Sequence, residues 1–530
     1  MLLNCYIRIL KILLLLYNNC VIIISVVNIV NITNRMEGIQ MVTFLVCILI
    51  LIVGYFTYGK YVEKVFGEKP DRPTPAYVNA DGVDYVPMST PKNSLIQLLN
   101  IAGTGPVFGP IAGALYGPVA FIWIVVGCIF AGAVHDYLTG MISIRNKGAH
   151  VPELVAKFLG KFMKHVVNVF ALLLLLLVGT VFVSSPAMLI NNLLEGDAST
   201  LAIIVGVIFV YYILATLLPV DKIIGRLYPY FGAILVISAV GIGIGLIVTG
   251  APIPELTFAN MHPRELPIFP LIFFTITCGA LSGFHATQTP IISRTTQNEK
   301  QGRKIFYGMM IAEGIIAMIW AAAAMSLFDG YGGLNEMLAA GGPAAVVSEV
   351  SLLMMGSIGG TLAILGVVVL PITSGDTAFR AARMIIADYF KFGQAKLLSR
   401  LWIAIPLFVM SYALTKIDFN ILWQYFSWAN QVTAVIALWV GAMYLFLAKK
   451  NHWIATIPAT FMTYMVIVYI LFEPTMGFGI PLNASYIGGV VATILLVAIF
   501  FNAAHKKRGT SILLDEDVSG FQVASTVEHD

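Results

Sequence analysis

From Met41 onward the chain alternates between apolar runs of about twenty residues and short polar stretches. A helix rises ~1.5 Å per residue, so a run of about twenty crosses the ~30 Å hydrocarbon core of a bilayer. The pattern predicts spans near 41–59, 95–117, 118–142, 163–184, 201–219, 229–249, 268–287, 305–327, 353–372, 399–416, 423–447, 453–472 and 484–503. The expected architecture is therefore an all-α polytopic membrane protein of about 13 transmembrane helices. Segment 95–117 is the least regular of these, being interrupted by glycines and by Pro106 and Pro110.

The placement of positive charge tests that list, because loops rich in Lys and Arg stay cytoplasmic. If 95–117 crosses, 26 lysines and arginines from Lys60 to Arg508 fall on one side, and only Arg264 and Lys416 on the other. One missed crossing would scramble the division. The populated side, and with it the C-terminus, is expected to face the cytoplasm.

Composition agrees. Apolar residues make up 59% of the 530 and charged residues 11%, against roughly 25% charged in a soluble protein. Lipid is thus the expected partner of most of the surface. The net charge of +4 is small and scattered, which argues against a nucleic-acid partner. Cys5, Cys20, Cys47, Cys128 and Cys278 sit singly in apolar runs without metal-ligand spacing. Residues 1–40 form an N-terminal extension open to three readings: an extra span (a fourteenth), an uncleaved signal anchor, or upstream sequence preceding a start at Met36 or Met41. Residues 41–503 form the membrane domain and 504–530 a short polar tail.

Glycine and proline interrupt a membrane helix only where freed backbone groups face protein, water or ligand. Asn100–Pro110 is one such stretch and Cys278–Pro290 the other. They fall in the second and seventh predicted spans, five apart, so they run through the membrane in opposite directions. That is the pattern of an inverted repeat with one broken helix per half; close helix packing is the alternative use of the glycines. On the first reading Gly103, Thr104 and Gly105, with Gly279, Ser282, Gly283 and His285, are the candidate substrate-binding residues.

A third stretch, Leu370–Thr377, reads as an irregular end to the ninth span. Thr373, Ser374 and Thr377 there could offer hydroxyl oxygens to Na⁺, and Asp376 a carboxylate to Na⁺ or a proton. The alternative is a helix end whose Asp376 or Thr377 caps an amphipathic helix at 378–391. Ionisable groups inside a bilayer are costly and so are functional candidates. Glu313, within the eighth span, is the candidate coupling carboxylate. His135 and Asp136 read either as a proton relay or as an interfacial end pair. Arg380 and Arg383 read either as partners of the buried acids that gate the inner mouth or as positive-inside residues. Asn430 and Gln431 need hydrogen-bond partners within the bundle. The outer loop 328–352, with its glycines and Pro343 around short apolar helices, reads as an external lid.

No GxxxxGK[ST], CxxCH, HExxH or GxSxG pattern is present, so neither an ATP-driven pump nor an enzyme is expected, and no cofactor beyond a coupling H⁺ or Na⁺. The blocks Asp81–Pro87, IAGTGPVFGP at 101–110, AGAVHDY at 131–137, ITCGALSGFHA at 276–286, SGDTAFRAARMIIAD at 374–388 and WQYFSWANQ at 423–431 resemble the carbon starvation protein A family. The resemblance runs collinearly over roughly 41–503; the family often has glutamine where this chain has His135. It implies uptake of small nutrients, peptides or a carboxylate such as pyruvate, across the bacterial inner membrane under carbon starvation and driven by an ion gradient. It also implies a place in the amino acid–polyamine–cation superfamily, with its LeuT-like five-plus-five inverted repeat. Spans 95–117 and 268–287 would be the first and sixth core helices, and Thr373 and Ser374 would sit where related folds bind sodium. A transporter-like nutrient sensor is the rival from another class. Oligomeric state is left open by the sequence.

Overall fold

The apolar runs fold into helices in the computed structural model, which describes residues 41–82, 84–217, 220–393, 397–508 and 514–518. In order these are α1 (Val42–Phe66), α2 (Thr90–Ile101), α3 (Gly105–Gly113), α4 (Val119–Arg145), α5 (Val151–Phe158), α6 (Lys161–Leu193), α7 (Ala198–Leu217) and α8 (Val220–Val248). Then follow α9 (Ile268–Thr275), α10 (Gly283–Ser293), α11 (Gly308–Ser326), α12 (Gly330–Phe390), α13 (Leu397–Leu414), α14 (Phe419–Leu447), α15 (Trp453–Phe472) and α16 (Leu482–Arg508). Among the described residues, β pairing is confined to one isolated bridge, Met88 to Thr296. The three readings of residues 1–40 lie outside the described residues.

Each predicted span coincides with helix, but not all of them stand as uninterrupted spans. Among the described residues ten helical segments are long and apolar enough to cross a membrane, and the bent pair α2–α3 makes an eleventh. Leu398–Leu414 is a shorter apolar helix, and the seventh predicted span is divided into α9 and α10. Large apolar side chains project outward from α7 (Ile203, Val207), α8 (Ile237, Ile244), α13 (Trp402, Val409) and α16 (Ile487, Ile494). On a water-facing surface such stripes would be unstable; here they are the lipid-facing sides of a multi-pass membrane protein.

Two expectations need correction. Leu370–Thr377 is not irregular: α12 runs through it, with Pro371 inside the helix. The Thr373 hydroxyl donates to the Leu370 carbonyl (2.8 Å) and that of Thr377 to the Ser374 carbonyl (2.9 Å), so these hydroxyls find acceptors on their own helix. The second concerns 328–352: its short apolar helices are present, at 330–341 and 343–355, but little loop separates them, the chain turning only at Gly342 (φ 66°) and again at Gly356 (φ 67°) before the long helix that completes α12.

Two apolar cores hold the bundle. The larger gathers side chains of α1–α5, α11, α14 and α15; the smaller joins α6, α7, the end of α12 and α13. They meet at the second broken stretch, where Ala280 and Leu281 pack into the larger core and Cys278 and Phe284 into the smaller. The polar turns expected on the charge-rich side also meet one another. Arg303 Nε donates to Glu63 (2.8 Å), the Lys69 amide to Glu299 (2.7 Å) and Lys507 Nζ to the Phe158 carbonyl (2.8 Å). At the other end Glu255 accepts from the amide of Val42 (2.7 Å) at the start of α1.

Candidate functional site

Helix α2 ends when the Ala102 amide bonds the Leu98 carbonyl (2.8 Å), and α3 starts when Phe108 bonds the Thr104 carbonyl (2.8 Å). Pro106, lacking an N–H, suits the first turn of α3. Between them the axis turns by 49°. The second break spans Ile276–Ser282, with Gly279 in the left-handed region (φ +89°) and Ser282 extended.

The two breaks pack directly against each other. Gly105, Gly109 and Gly113, four residues apart, put one face of α3 against Thr275–Cys278. A Cβ at Gly105 would stand 2.2 Å from Cys278 Cβ, and one at Gly109 2.8 Å from the Thr275 carbonyl oxygen. This small-residue stripe lets backbones touch; its GxxxGxxxG spacing is the signal that the sequence reading passed over. The Phe182 ring covers Gly103.

Asn430 and Gln431 on α14 complete the second break. Asn430 Oδ1 accepts from the Phe284 amide (2.7 Å) and the Ser282 hydroxyl (3.1 Å), capping α10 from a neighbouring helix. Gln431 Nε2 donates to the carbonyls of Leu281 (3.0 Å) and Phe273 (3.3 Å). The broken backbone thus finds partners inside protein, as the bilayer requires.

A chain of ionisable groups starts at this break. The Gly279 amide donates to Glu313 Oε1 (3.2 Å), and Glu313 Oε2 lies 3.4 Å from His285 Nε2. His285 Nδ1 lies 3.0 Å from Asp136 Oδ2, and Asp136 Oδ1 2.8 Å from His135 Nδ1. All four side chains are fully enclosed. His135 and Asp136 are therefore not an interfacial end pair: α4 continues past them to Arg145, and Asp136 bridges two imidazoles. A π turn at Cys128–Gly132 precedes them, a distortion common at functional sites. Low dielectric makes each unbalanced charge in this enclosed group expensive.

Cys278, His285 and Glu313 present ligand-type atoms within 4.8 Å of one another. Those of His285 and Glu313 face each other, and Cys278 Sγ approaches the Ser282 hydroxyl (3.3 Å), so the trio forms part of the polar chain. Along the last turn of α2 and the first break, Gln97, Asn100 and Thr104 bury side-chain polar atoms that have no hydrogen-bond partner.

The remaining predicted residues lie elsewhere on the same framework. Ser374 Oγ donates to the Leu99 carbonyl (2.7 Å), fastening α12 to α2 beside the first break. Arg380 faces Asp376 rather than Asp136 or Glu313. Its Nη2 donates to the Ala215 carbonyl (2.9 Å) and lies 3.9 Å from Asp376, one turn back on α12. Arg383 is buried three residues further on.

The family model described as carbon starvation protein CstA matches residues 39–206, 186–355 and 330–469. A membrane protein of Haemophilus influenzae is 49% identical over 357 residues, 58% of this chain and 96% of that protein. The peptide transporter CstA of Bacillus subtilis is 27% identical over 591 aligned positions, covering 89% of this chain and 97% of the relative. The pyruvate/proton symporter BtsT of Escherichia coli is 28% identical over 352 residues, 53% of this chain and 48% of BtsT. Matched to its family through most of the helical bundle and related to proteins named as transporters, this chain belongs to the carbon starvation protein CstA family of membrane transporters.

Proposed function

We propose that this chain imports small peptides across the bacterial inner membrane under carbon starvation, coupled to protons, with its charge-rich end and C-terminus in the cytoplasm. The observation that carries the reading is the enclosed chain Glu313–His285–Asp136–His135, which touches the second break through the Gly279 amide. A proton taken up by this chain lowers its net negative charge beside the place where an anionic group would bind. The coupling order is then proton first, carboxylate second. The carboxylate binds near the starts of α3 and α10, where half-helix N-termini favour negative charge, and Gln97, Asn100 and Thr104 offer polar contacts. The packing of the two breaks against each other supports the five-plus-five inverted repeat.

Two observations favour variants of this reading. Similarity to a pyruvate/proton symporter makes pyruvate, which carries the same carboxylate, the second substrate. The Ser374 hydroxyl on the Leu99 carbonyl brings oxygens together at the first break, where Na⁺ would take the proton's place. Purified protein in proteoliposomes, given labelled dipeptide or labelled pyruvate under an imposed proton or sodium gradient, tests all of these. Proton-driven accumulation of dipeptide is the expected result. Accumulation of pyruvate alone selects the second substrate, and sodium dependence moves the coupling to Ser374. No accumulation of either by folded, inserted protein overturns the reading in favour of a sensor.

A further inference from the structure

Residues 514–518 lie across the charge-rich end of the bundle, far in sequence from what they touch. Leu514 packs on the larger core. Asp515 accepts from the Tyr444 hydroxyl (2.8 Å) and Lys69 Nζ (3.0 Å), and stands 3.9 Å from Arg145 Nη1. The Glu516 amide donates to the Arg145 carbonyl (2.9 Å), its carbonyl accepts from Arg72 Nη2 (2.5 Å), and its carboxylate accepts from Lys157 Nζ (2.9 Å).

The segments joined in this way carry the candidate site. Arg145 ends α4, which holds His135 and Asp136. Tyr444 lies near the end of α14, which holds Asn430 and Gln431. Glu299, bound to Arg145 at 2.9 Å, follows α10, which holds His285. A passage from the site to this side requires those ends to part, and the strap adds its own bonds to Arg145 and Tyr444 to the direct bond between them, tying both to Lys69, Arg72 and Lys157.

The strap is also built to release. Arg145 keeps Glu299, the Gly67 carbonyl (2.6 Å) and the Tyr444 hydroxyl (3.0 Å) whether or not Asp515 is present. Departure of the strap therefore leaves no buried charge bare. Its own ion pairs involve partly exposed lysines, with Lys69 57% exposed, and such pairs are weak singly and screened by salt.

We infer that the acidic segment 514–518 is an autoinhibitory strap, docked in a basic pocket formed by Lys69, Arg72, Arg145 and Lys157, that holds the cytoplasmic end of the transporter closed. The inference rests on the transporter reading and its orientation. Its test needs no substrate, so the strap and the proposed substrate class can fail separately. In inside-out vesicles, labelling of Cys278 by a membrane-impermeant sulfonated maleimide reports opening of the site to this side, with Cys278→Ser as the blank. The full-length Asp515→Asn, Glu516→Gln double variant is expected to label several-fold faster than wild type. Wild type is expected to approach that rate as salt rises from ~0.05 to ~0.5 M, with the variant indifferent to salt. Lys157→Gln, which cuts the same link from the pocket side, provides an independent variant should the first fold poorly. Equal labelling rates and equal salt responses, at an unchanged melting temperature, would overturn the strap. So would a rate that follows the phosphatidylglycerol content of the vesicles rather than the Asp515 and Glu516 charges, since the pocket would then belong to a lipid headgroup.

Discussion

Glu313→Gln separates carrying a proton from holding the site together. The amide has nearly the size of the carboxylate, and its Oε1 can still accept from the Gly279 amide, 3.2 Å away in the native protein. Its Nε2 can donate to His285 Nε2, now 3.4 Å from the carboxylate, provided that His285 keeps its proton on Nδ1 toward Asp136. A hydrogen bond involving an ionised group contributes ~1.5–3 kcal/mol and a neutral one ~0.5–1.5 kcal/mol. The variant should therefore lose only about 1–2 kcal/mol and remain folded. Coupling should change far more. A gradient of one pH unit is worth ~1.4 kcal/mol per proton, so one-to-one symport concentrates substrate about tenfold. With no proton carried at this position, the ratio should fall to about one, while exchange of labelled for unlabelled substrate without a gradient persists. The assay is proteoliposome accumulation beside counterflow, on variant protein whose melting temperature has been recorded. A variant that still concentrates substrate about tenfold per pH unit would refute Glu313 as the coupling carboxylate.

Other outcomes follow from the packing and charges. Gly283→Ala would bring a methyl 2.1 Å from the Asn430 carbonyl oxygen and 2.5 Å from the Ala434 amide nitrogen; overpacking of this kind costs ~1–3 kcal/mol or more, read as a lower melting temperature in detergent. Gly105→Ala meets the Cys278 side chain instead of backbone, so Cys278→Gly should restore much of the lost stability in the double variant. Arg145→Met leaves Glu299 enclosed without its cationic partner and with only the Lys69 amide, a loss of ~3–5 kcal/mol visible as poor yield and early melting. His262, in the turn between α8 and α9, is pushed down to about 4 by burial and by Arg264, and its Nδ1 accepts from the Arg264 amide (3.2 Å). Its folded value is depressed, so its contribution is complete above the unfolded value near 6.5 and is lost as pH falls toward 4. The melting temperature of wild type should drop over that window more than that of His262→Gln.

Apolar run length and charge placement made the helical bundle legible, because a bilayer permits few other ways to satisfy backbone groups. Both breaks were legible for the same reason, with glycine and proline standing where a lipid-facing helix could not tolerate them. His135 and Asp136 were harder. A His-Asp pair near the expected end of a span reads equally as a membrane-edge pair, and only the approach of α10 brings His285 to 3.0 Å of Asp136. Leu370–Thr377 misled because Pro371, Ser374, Gly375 and Asp376 look like helix breakers in a linear reading. In α12 the hydroxyls satisfy themselves on nearby carbonyls, and Ser374 gains the Leu99 carbonyl from a helix that sequence does not place beside it. The contacts of Asp515 and Glu516 were illegible altogether, since a short polar tail carries no signal of where it docks.

The glycine face of α3 has a kinematic consequence. With Gly105, Gly109 and Gly113 pressed onto Thr275–Cys278, neither interruption can slide along the other without driving atoms together. Relative motion there is confined to small rotations, so the two interruptions behave as a single joint rather than as two independent hinges.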